Sequence, residues 1–344
     1  VIPHSRATLG DEDAAEVARV VASGHVAQGP EVLRFERAMA LRLGAETAAA
    51  VSSGTAALEL ALRALGIGNG DEVIIPTFVC DALWHAVQRT GAVAVLADAD
   101  PVTLSLSIDD ARRRRSRRTR AAVVPHAFGQ PVARDALARL DLPVVEDCAQ
   151  TLSASHDVAP VGSGGAVAIC SFYATKLFTT GEGGMIAGPS GVVERARAAR
   201  AYDECRDLAA RCNAKLTDMA AALGLVQLGR LDEFIARRRA IAARYRTRLR
   251  SSPCTLPAET PGHVYHRFVL QVRQPVDAVL GALAARGIVA RRPVFRPLHA
   301  TVGGEGYPEA DRLWATSISL PCYPTLTDAE VDTVSAALGE VLDR

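Results

Sequence analysis

The chain is predicted to be an α/β protein: a mostly parallel, doubly wound sheet carrying one antiparallel strand, followed by a smaller α+β C-terminal part. Three observations lead there. From residue 48 to residue 147, short and nearly all-apolar runs alternate with helical patterns, as strands do when covered on both faces and joined by crossover helices. Two further strands, one ending near Phe172 and one starting near Gly184, are separated by only about eleven residues without helical periodicity, fewer than a parallel crossover needs, so they should form an antiparallel hairpin. Beyond about residue 240 the alternation gives way to a different arrangement of strands and helices, which divides the chain into a large part, 1–239, and a small part, 240–344.

In order, residues 1–8 read as an extended arm. A helix opens at Asp11-Glu12-Asp13, with acidic residues in its first turn where the helix dipole favours them, and ends near Gly24. Gly29-Pro30 starts a second helix running to about Leu43. Residues 48–52 form a short strand, and Ser53-Gly54-Thr55-Ala56-Ala57 turns into an apolar helix over 58–65. Strands are expected at 72–76, 92–97, 121–125 and 143–146, with helices at 81–90, 108–115 and 133–140 between them. After the hairpin, a basic helix covers 192–201 and long helical material covers 216–249, broken near Gly229-Arg230. Residues 251–261 read as a linker. A strand at 265–272, a helix at 276–286, a strand at 288–293 and a helix at 328–342 make up the small part.

Composition narrows the function. With 49% hydrophobic and 22% charged residues the chain is an ordinary globular sequence with material for a large core, and a net charge of +1 gives no general attraction to nucleic acid or membrane. No apolar run approaches the roughly 20 residues of a membrane helix, and the opening residues lack the order of a signal peptide. Seven cysteines without a C-x-x-C pair suggest reduced thiols and a cytoplasmic protein, neither a disulfide framework nor a zinc ribbon. The eight histidines lack metal-ligand spacing. No G-x-S-x-G elbow is present. Gly162-Ser163-Gly164-Gly165 precedes a strand where a dinucleotide fingerprint would follow one, and reads as a flexible loop. The arginine-rich run 112–120 has no interleaved aromatics for base stacking and reads as a solvated link.

The hairpin loop carries the chemistry. Only two lysines, Lys176 and Lys215, occur among 39 basic residues, so lysine is kept where arginine cannot serve. A deprotonated amine can condense with an aldehyde; a guanidinium stays charged. Lys176 therefore points to covalent attachment of pyridoxal 5'-phosphate. Ligands of such sheets sit beyond the carboxyl ends of the strands, and three further groups fall there. The turn Gly54-Thr55-Ala56 leads into a helix, where it is either an ordinary N-cap or a phosphate seat. Asp147 ends a buried strand and needs a cationic partner, either an arginine or a protonated pyridine nitrogen. Ser171, next to the hairpin loop, offers a hydroxyl to a phosphate.

Taken together, Ser-Gly-Thr-Ala-Ala-Leu at 53–58, Gly-Asp-Glu-Val-Ile at 70–74, Glu-Asp-Cys-Ala-Gln at 146–150, Ser-Phe-Tyr-Ala-Thr-Lys at 171–176 and Gly-Glu-Gly-Gly at 181–184 resemble the DegT/DnrJ/EryC1/StrS aminotransferases. Tyr-His-Arg-Phe at 265–268, Arg-Pro-Leu-His at 296–299 and Leu-Pro-Cys-Tyr-Pro at 320–324 extend the resemblance over essentially the whole chain. It implies a fold-type I enzyme dependent on pyridoxal phosphate. Lys176 and Asp147 would be catalytic, with Gly54, Thr55, Ala56, Cys80, Gln150, Ser171 and Asn213 also contacting the cofactor. Asn213 would serve the neighbouring subunit's site in a homodimer. The implied reaction moves an amine from glutamate or glutamine to a keto-sugar, expected to be nucleotide-linked; a keto-cyclitol or other non-nucleotide ketone as acceptor, or cofactor binding without turnover, are the alternatives. Four positions depart from the family pattern. Cys80 stands where an aromatic residue usually covers the pyridine ring, with Phe78 or Trp84 as possible substitutes. Phe128 and Phe295 stand where tyrosine is common, and Ser153 where glycine is.

Overall fold

The computed structural model describes residues 1–156, 159–203, 205 and 207–343. Seven strands form the main sheet: β1 (Thr47–Val51), β2 (Glu72–Pro76), β3 (Val93–Ala97), β4 (Thr119–Pro125), β5 (Val144–Asp147), β6 (Val167–Ser171) and β7 (Gly184–Gly188). Their order across the sheet is β1-β7-β6-β5-β4-β2-β3. Only β7 runs against the rest, pairing antiparallel with both β6 and β1. That is the expected hairpin, and its loop holds Lys176. β2, β4, β5 and β7 are buried along most of their length, with helices on both faces, which is why their sequences carry no polar alternation.

The helices start and stop where local chemistry dictates. α1 (Asp11–Ser23) is opened by the Gly10 N–H donating to the Asp13 carboxylate at 2.8 Å and closed by Gly24 in the left-handed region. At α2 (Pro30–Leu43), Gly29 and Val32 both donate N–H groups to the distant Asp218 carboxylate, which caps the helix from another element. α3 spans Gly54–Ala64, four residues earlier than expected, because the Ser53 hydroxyl accepts the Ala56 N–H at 3.1 Å and lets the helix begin directly after β1. α4 (Ala82–Thr90), α5 (Ile108–Arg114) and α6 (Arg134–Ala138) follow the predicted places. So do α7 (Ser190–Ala199), α8 (Asp218–Gly229) and α9 (Leu231–Leu249), the last two separated at Arg230.

α9 links two cores. Phe234 and Ile235 pack with Phe35, Met39 and Phe172 beneath the main sheet, whereas Ile241, Tyr245 and Leu249 pack with Phe268, Leu270 and Leu338 in a second cluster. Around that second cluster lies a three-stranded antiparallel sheet of β8 (Cys254–Thr255), β9 (Phe268–Val272) and β10 (Ser317–Leu320), with α10 (Val276–Ala284) and the last helix, Asp328–Leu342.

Four expectations for this part are corrected. The segment read as a linker contains β8. The strand expected from 265 starts at Phe268, because Tyr265 has φ +47° and its neighbours bond to the Phe128–Gly129 turn instead of a ladder. Residues 288–293 form no strand; Ile288 bridges Ile2 of the N-terminal arm and Arg291 bridges Ser319. A helix at Pro308–Thr316 and the strand β10 after it were not anticipated, and Tyr307, Ala310 and Leu313 pack back against the large core.

Two surface readings are also resolved. In the arginine run, Arg113 and Arg114 pair with Asp110 (3.0 and 2.7 Å), Arg115 with Asp141 (3.3 Å) and Arg118 with Glu72 (2.6 Å). The glycine loop 162–165 does structural work: the Gly162 and Gly164 N–H groups donate to the buried Glu146 carboxylate at 3.0 and 2.7 Å, joined by Gly165.

Candidate active site

A cavity of about 350 Å³ opens beyond the carboxyl ends of β4, β5 and β6, at the start of α3. Gly54, Thr55, Cys80, Asp147, Gln150, Ser171 and Lys176 all line it, although they come from four separate stretches of sequence. Parallel strands deliver Asp147 and Ser171 to the same edge, and the hairpin returns Lys176 over it.

At one end of the cavity the backbone is unusually close. A Cβ built on Gly54 would lie 2.7 Å from the Ser171 Cβ, so only glycine lets the first turn of α3 meet the end of β6. The result is a helix N-terminus with Thr55 and Ser171 beside it, a concave seat for a phosphate. The N-cap reading of this turn is met by Ser53. Ala56 does not line the cavity; its N–H is taken by Ser53, so it contributes through the cap.

Asp147 is buried at the end of β5, and its carboxylate accepts the Ala149 N–H at 2.9 Å. Among the described residues no arginine, lysine or histidine pairs with it. Burial pushes its pKa up, against the pull of that N–H and of the Lys176 charge. Arginine was the bland partner for this carboxylate, and it is not there. A protonated ring nitrogen would supply the missing cation.

Lys176 stands on the same wall. Burial holds its ammonium below the ordinary lysine value, opposed by Cys80 and Asp147 and assisted by Arg267. That is the direction an amine needs to act as a nucleophile near neutrality. Lys215 lies elsewhere, paired with Asp203 and set over the Tyr202 ring at 5.9 Å. The seat, the carboxylate and the amine match the phosphate, ring nitrogen and aldehyde of pyridoxal phosphate, and the chain fits that group.

Gln150 Oε1 accepts the Phe128 N–H at 2.8 Å, which leaves its amide NH₂ as the free end. Phe128 itself has φ +58° and meets Phe78 edge-on at 6.4 Å; both line the cavity, whereas Trp84 does not. The thiol of Cys80 is open to the cavity. Ser153 sits outside it with φ +63°, so the usual glycine answers to backbone conformation, and its hydroxyl accepts Arg42 Nε at 2.6 Å. Phe295 points outward, 93% exposed. Asn213 is exposed and outside this chain's cavity. His299 is held by Thr77 (2.8 Å) and Asp311 (3.0 Å) away from the cavity, whereas His266 lines it.

Arg267 was not singled out from sequence, yet it lines the cavity. It arrives from the small part through the strained Tyr265 backbone, which no periodicity announces. Among the described residues no group of three His, Cys, Asp or Glu side chains could hold a metal ion, and no helix is long and apolar enough to cross a membrane.

The chain is similar to known proteins. The sequence pattern of the DegT/DnrJ/EryC1/StrS aminotransferase family matches residues 7–339. The spore coat polysaccharide biosynthesis protein SpsC of Bacillus subtilis is 33% identical over 99% of this chain and 97% of its own length. The GDP-perosamine synthase of Caulobacter vibrioides is 34% identical over 91% of each. The solved structure of the sugar aminotransferase Spr1654 from Streptococcus pneumoniae, described as putative and captured in its PLP form, superposes with a TM-score of 0.93 at 25% identity, covering 99% of this chain and 98% of that one.

Proposed function

Since this chain belongs to the DegT/DnrJ/EryC1/StrS aminotransferase family and is a pyridoxal phosphate-dependent aminotransferase, we propose that it transfers the amine of glutamate or glutamine to the ketone carbon of a nucleotide-linked keto-sugar, in amino-sugar or antibiotic biosynthesis. The cavity that joins a lysine of lowered pKa, a buried unpaired carboxylate and a glycine-opened helix start supports the chemistry. The names of SpsC and GDP-perosamine synthase support the sugar acceptor.

When bound, pyridoxal phosphate supplies an aldehyde for covalent attachment and a protonated ring that accepts electron density. Lys176 Nζ would hold the cofactor and, as a free amine, would carry a proton away from the donor's α-carbon. Asp147 would keep the proton on the ring nitrogen, since among the described residues no arginine, lysine or histidine pairs with its buried carboxylate. Gly54, Thr55 and Ser171 would bind the phosphate, and the NH₂ of Gln150 would be a donor for the ring's 3-hydroxyl. Phe78 and the Cys80 sulfur flank the cavity. In this reading residues 1–239 bind the cofactor and 240–344 form the smaller part. The enzyme is a cytoplasmic homodimer in which Asn213 reaches the other subunit's phosphate.

A keto-cyclitol acceptor is the second reading. Cys80 favours it, because a thiol covers less of a ring face than an aromatic side chain and leaves more room above it. Single-turnover amination decides. Glutamate should bleach the cofactor's absorbance, and the aminated enzyme should then return it with a keto-sugar nucleotide. Recovery with a keto-cyclitol alone would transfer the assignment to the second reading, and no bleaching by any amino acid would overturn both.

A further inference from the structure

A cation without a counter-ion stands on the cavity wall. Among the described residues the Arg267 guanidinium makes no ion pair and no hydrogen bond; only its backbone N–H is engaged, with the Phe128 carbonyl at 3.0 Å. Two other enclosed arginines, by contrast, have partners for at least one guanidinium nitrogen. Arg200 pairs with Glu36 at 2.6 Å, and Arg238 donates to the His266 and Cys322 carbonyls. Leaving a partly desolvated charge unpaired is costly unless something arrives to pair with it.

A second orphan lies beside it. His266 is only 5% exposed, lines the same cavity, and its Nδ1 has no partner. The groups that act on Arg267 are Cys80 and Arg291; the groups that act on His266 are Lys176, Arg267, Arg238 and His4. No carboxylate is among them. Among the described residues neither side chain has an anionic partner, and the corner is positive.

We propose that Arg267, with His266 beside it, is the carboxylate-binding corner of the cavity and takes the α-carboxylate of the amino donor. This rests on the aminotransferase reading above. The carbon bearing the transferred amine also bears that carboxylate, so a donor reacting at Lys176 must bring an anion within a few ångströms of the amine. A nucleotide-linked acceptor carries its phosphates several bonds away from the ketone carbon. A guanidinium presents paired N–H donors that match a carboxylate's two oxygens. The fold brings the corner in by a narrow route. At Gly129, φ is +102° and a Cβ would lie 2.5 Å from the His266 nitrogen, so glycine alone lets the Tyr265–Arg267 backbone cross the Phe128–Gly129 turn.

The test uses the loaded wild-type enzyme with Arg267→Gln and Arg267→Lys. Cofactor content and borohydride fixation at Lys176 establish that each variant is folded and loaded. Dependence of single-turnover amination on glutamate concentration then gives the donor's apparent Kd, and calorimetry gives the Kd of glutarate, a dicarboxylate that cannot react. In Arg267→Gln both should weaken at least tenfold, with partial recovery in Arg267→Lys and an unchanged concentration dependence for the acceptor half-reaction. Unchanged glutamate and glutarate affinities in a fully loaded Arg267→Gln overturn the proposal, as does a loss confined to the acceptor step. A wild-type enzyme that takes no amine from any amino acid overturns the aminotransferase reading itself, an outcome visible before any variant is made.

Discussion

Gly54 and Ser171 come from different elements and approach so closely that a single methyl group could not fit between them: the Cβ-to-Cβ distance would be 2.7 Å. The contact places the N-terminus of α3 against the end of β6, and the proposed phosphate seat is made by that approach. Gly54→Ala should push the two apart. Overpacking of this kind costs about 1–3 kcal/mol; expressed in cofactor binding, that is roughly a ten- to hundredfold loss of affinity. Titration of the cofactor-free protein with pyridoxal phosphate, followed by absorbance, measures it. An affinity equal to wild type would show that the phosphate sits elsewhere.

Lys176→Ala should bind the cofactor without a bond that borohydride can fix. Peptide mapping of the reduced wild-type protein should place the label at Lys176 alone, because Lys215 is paired with Asp203 outside the cavity. Label at Lys215 in the variant would reassign the covalent site.

Asp147→Asn keeps the shape and the Ala149 N–H acceptor but removes the charge that holds a proton on the ring. The variant should stay loaded while amination by glutamate slows on the order of a hundredfold or more, the scale associated with losing a proton-transfer function. Stopped-flow absorbance after mixing with glutamate reads the rate. Near-normal bleaching would remove Asp147 from the mechanism.

The sheet was legible because its chemistry is local. Buried parallel strands advertise themselves as apolar runs, and the short hairpin around Lys176 could only be antiparallel. The residues proposed to hold the cofactor stood out because lysine is scarce here and because Asp147 and Gly54 sit at strand ends, where ligands gather. What stayed hidden depends on distant partners. Residues 288–293 look like a strand, yet their partners are Ile2 and Ser319, far along the chain. Arg267 reads as one arginine among many until the fold shows that no acid meets it. The glycines at 162–165 suggested mobility, and only the buried Glu146 carboxylate explains why so many free N–H groups are gathered there.

Gly129 is the hinge of that hidden part. A Cβ there would lie 2.5 Å from the His266 nitrogen and 2.7 Å from the Tyr265 nitrogen, both backbone atoms that cannot rotate away, and its φ of +102° already disfavours any other residue. Gly129→Ala should therefore destabilise by about 1–3 kcal/mol from overpacking alone and displace the segment that carries His266 and Arg267. Denaturant midpoints measure the first effect. The second should appear as weaker glutamate binding in protein that still holds cofactor, and a variant as stable as wild type would show that the crossing is not tight.

Glu146 and His126 form a buried pair at 3.0 Å, both within 2% of full burial. Burial alone would raise the Glu146 pKa, but His126 and the Gly162 and Gly165 N–H groups outweigh it and hold the carboxylate below its ordinary 4.5. A carboxyl whose folded-state pKa is depressed lends stability above its unfolded-state value and loses it as pH falls through the folded one. The contribution should be complete at pH 7 and decline only below about pH 4.5. Glu146→Gln leaves the shape but removes the charge from four donors at once, and losing a charge-assisted hydrogen bond of this kind costs about 1.5–3 kcal/mol. Urea unfolding of both proteins at neutral pH and at successively lower pH should show that gap shrinking as acid protonates Glu146 in the wild type. A gap that stays constant throughout the acid range would mean the side chain matters for its packing and not for its charge.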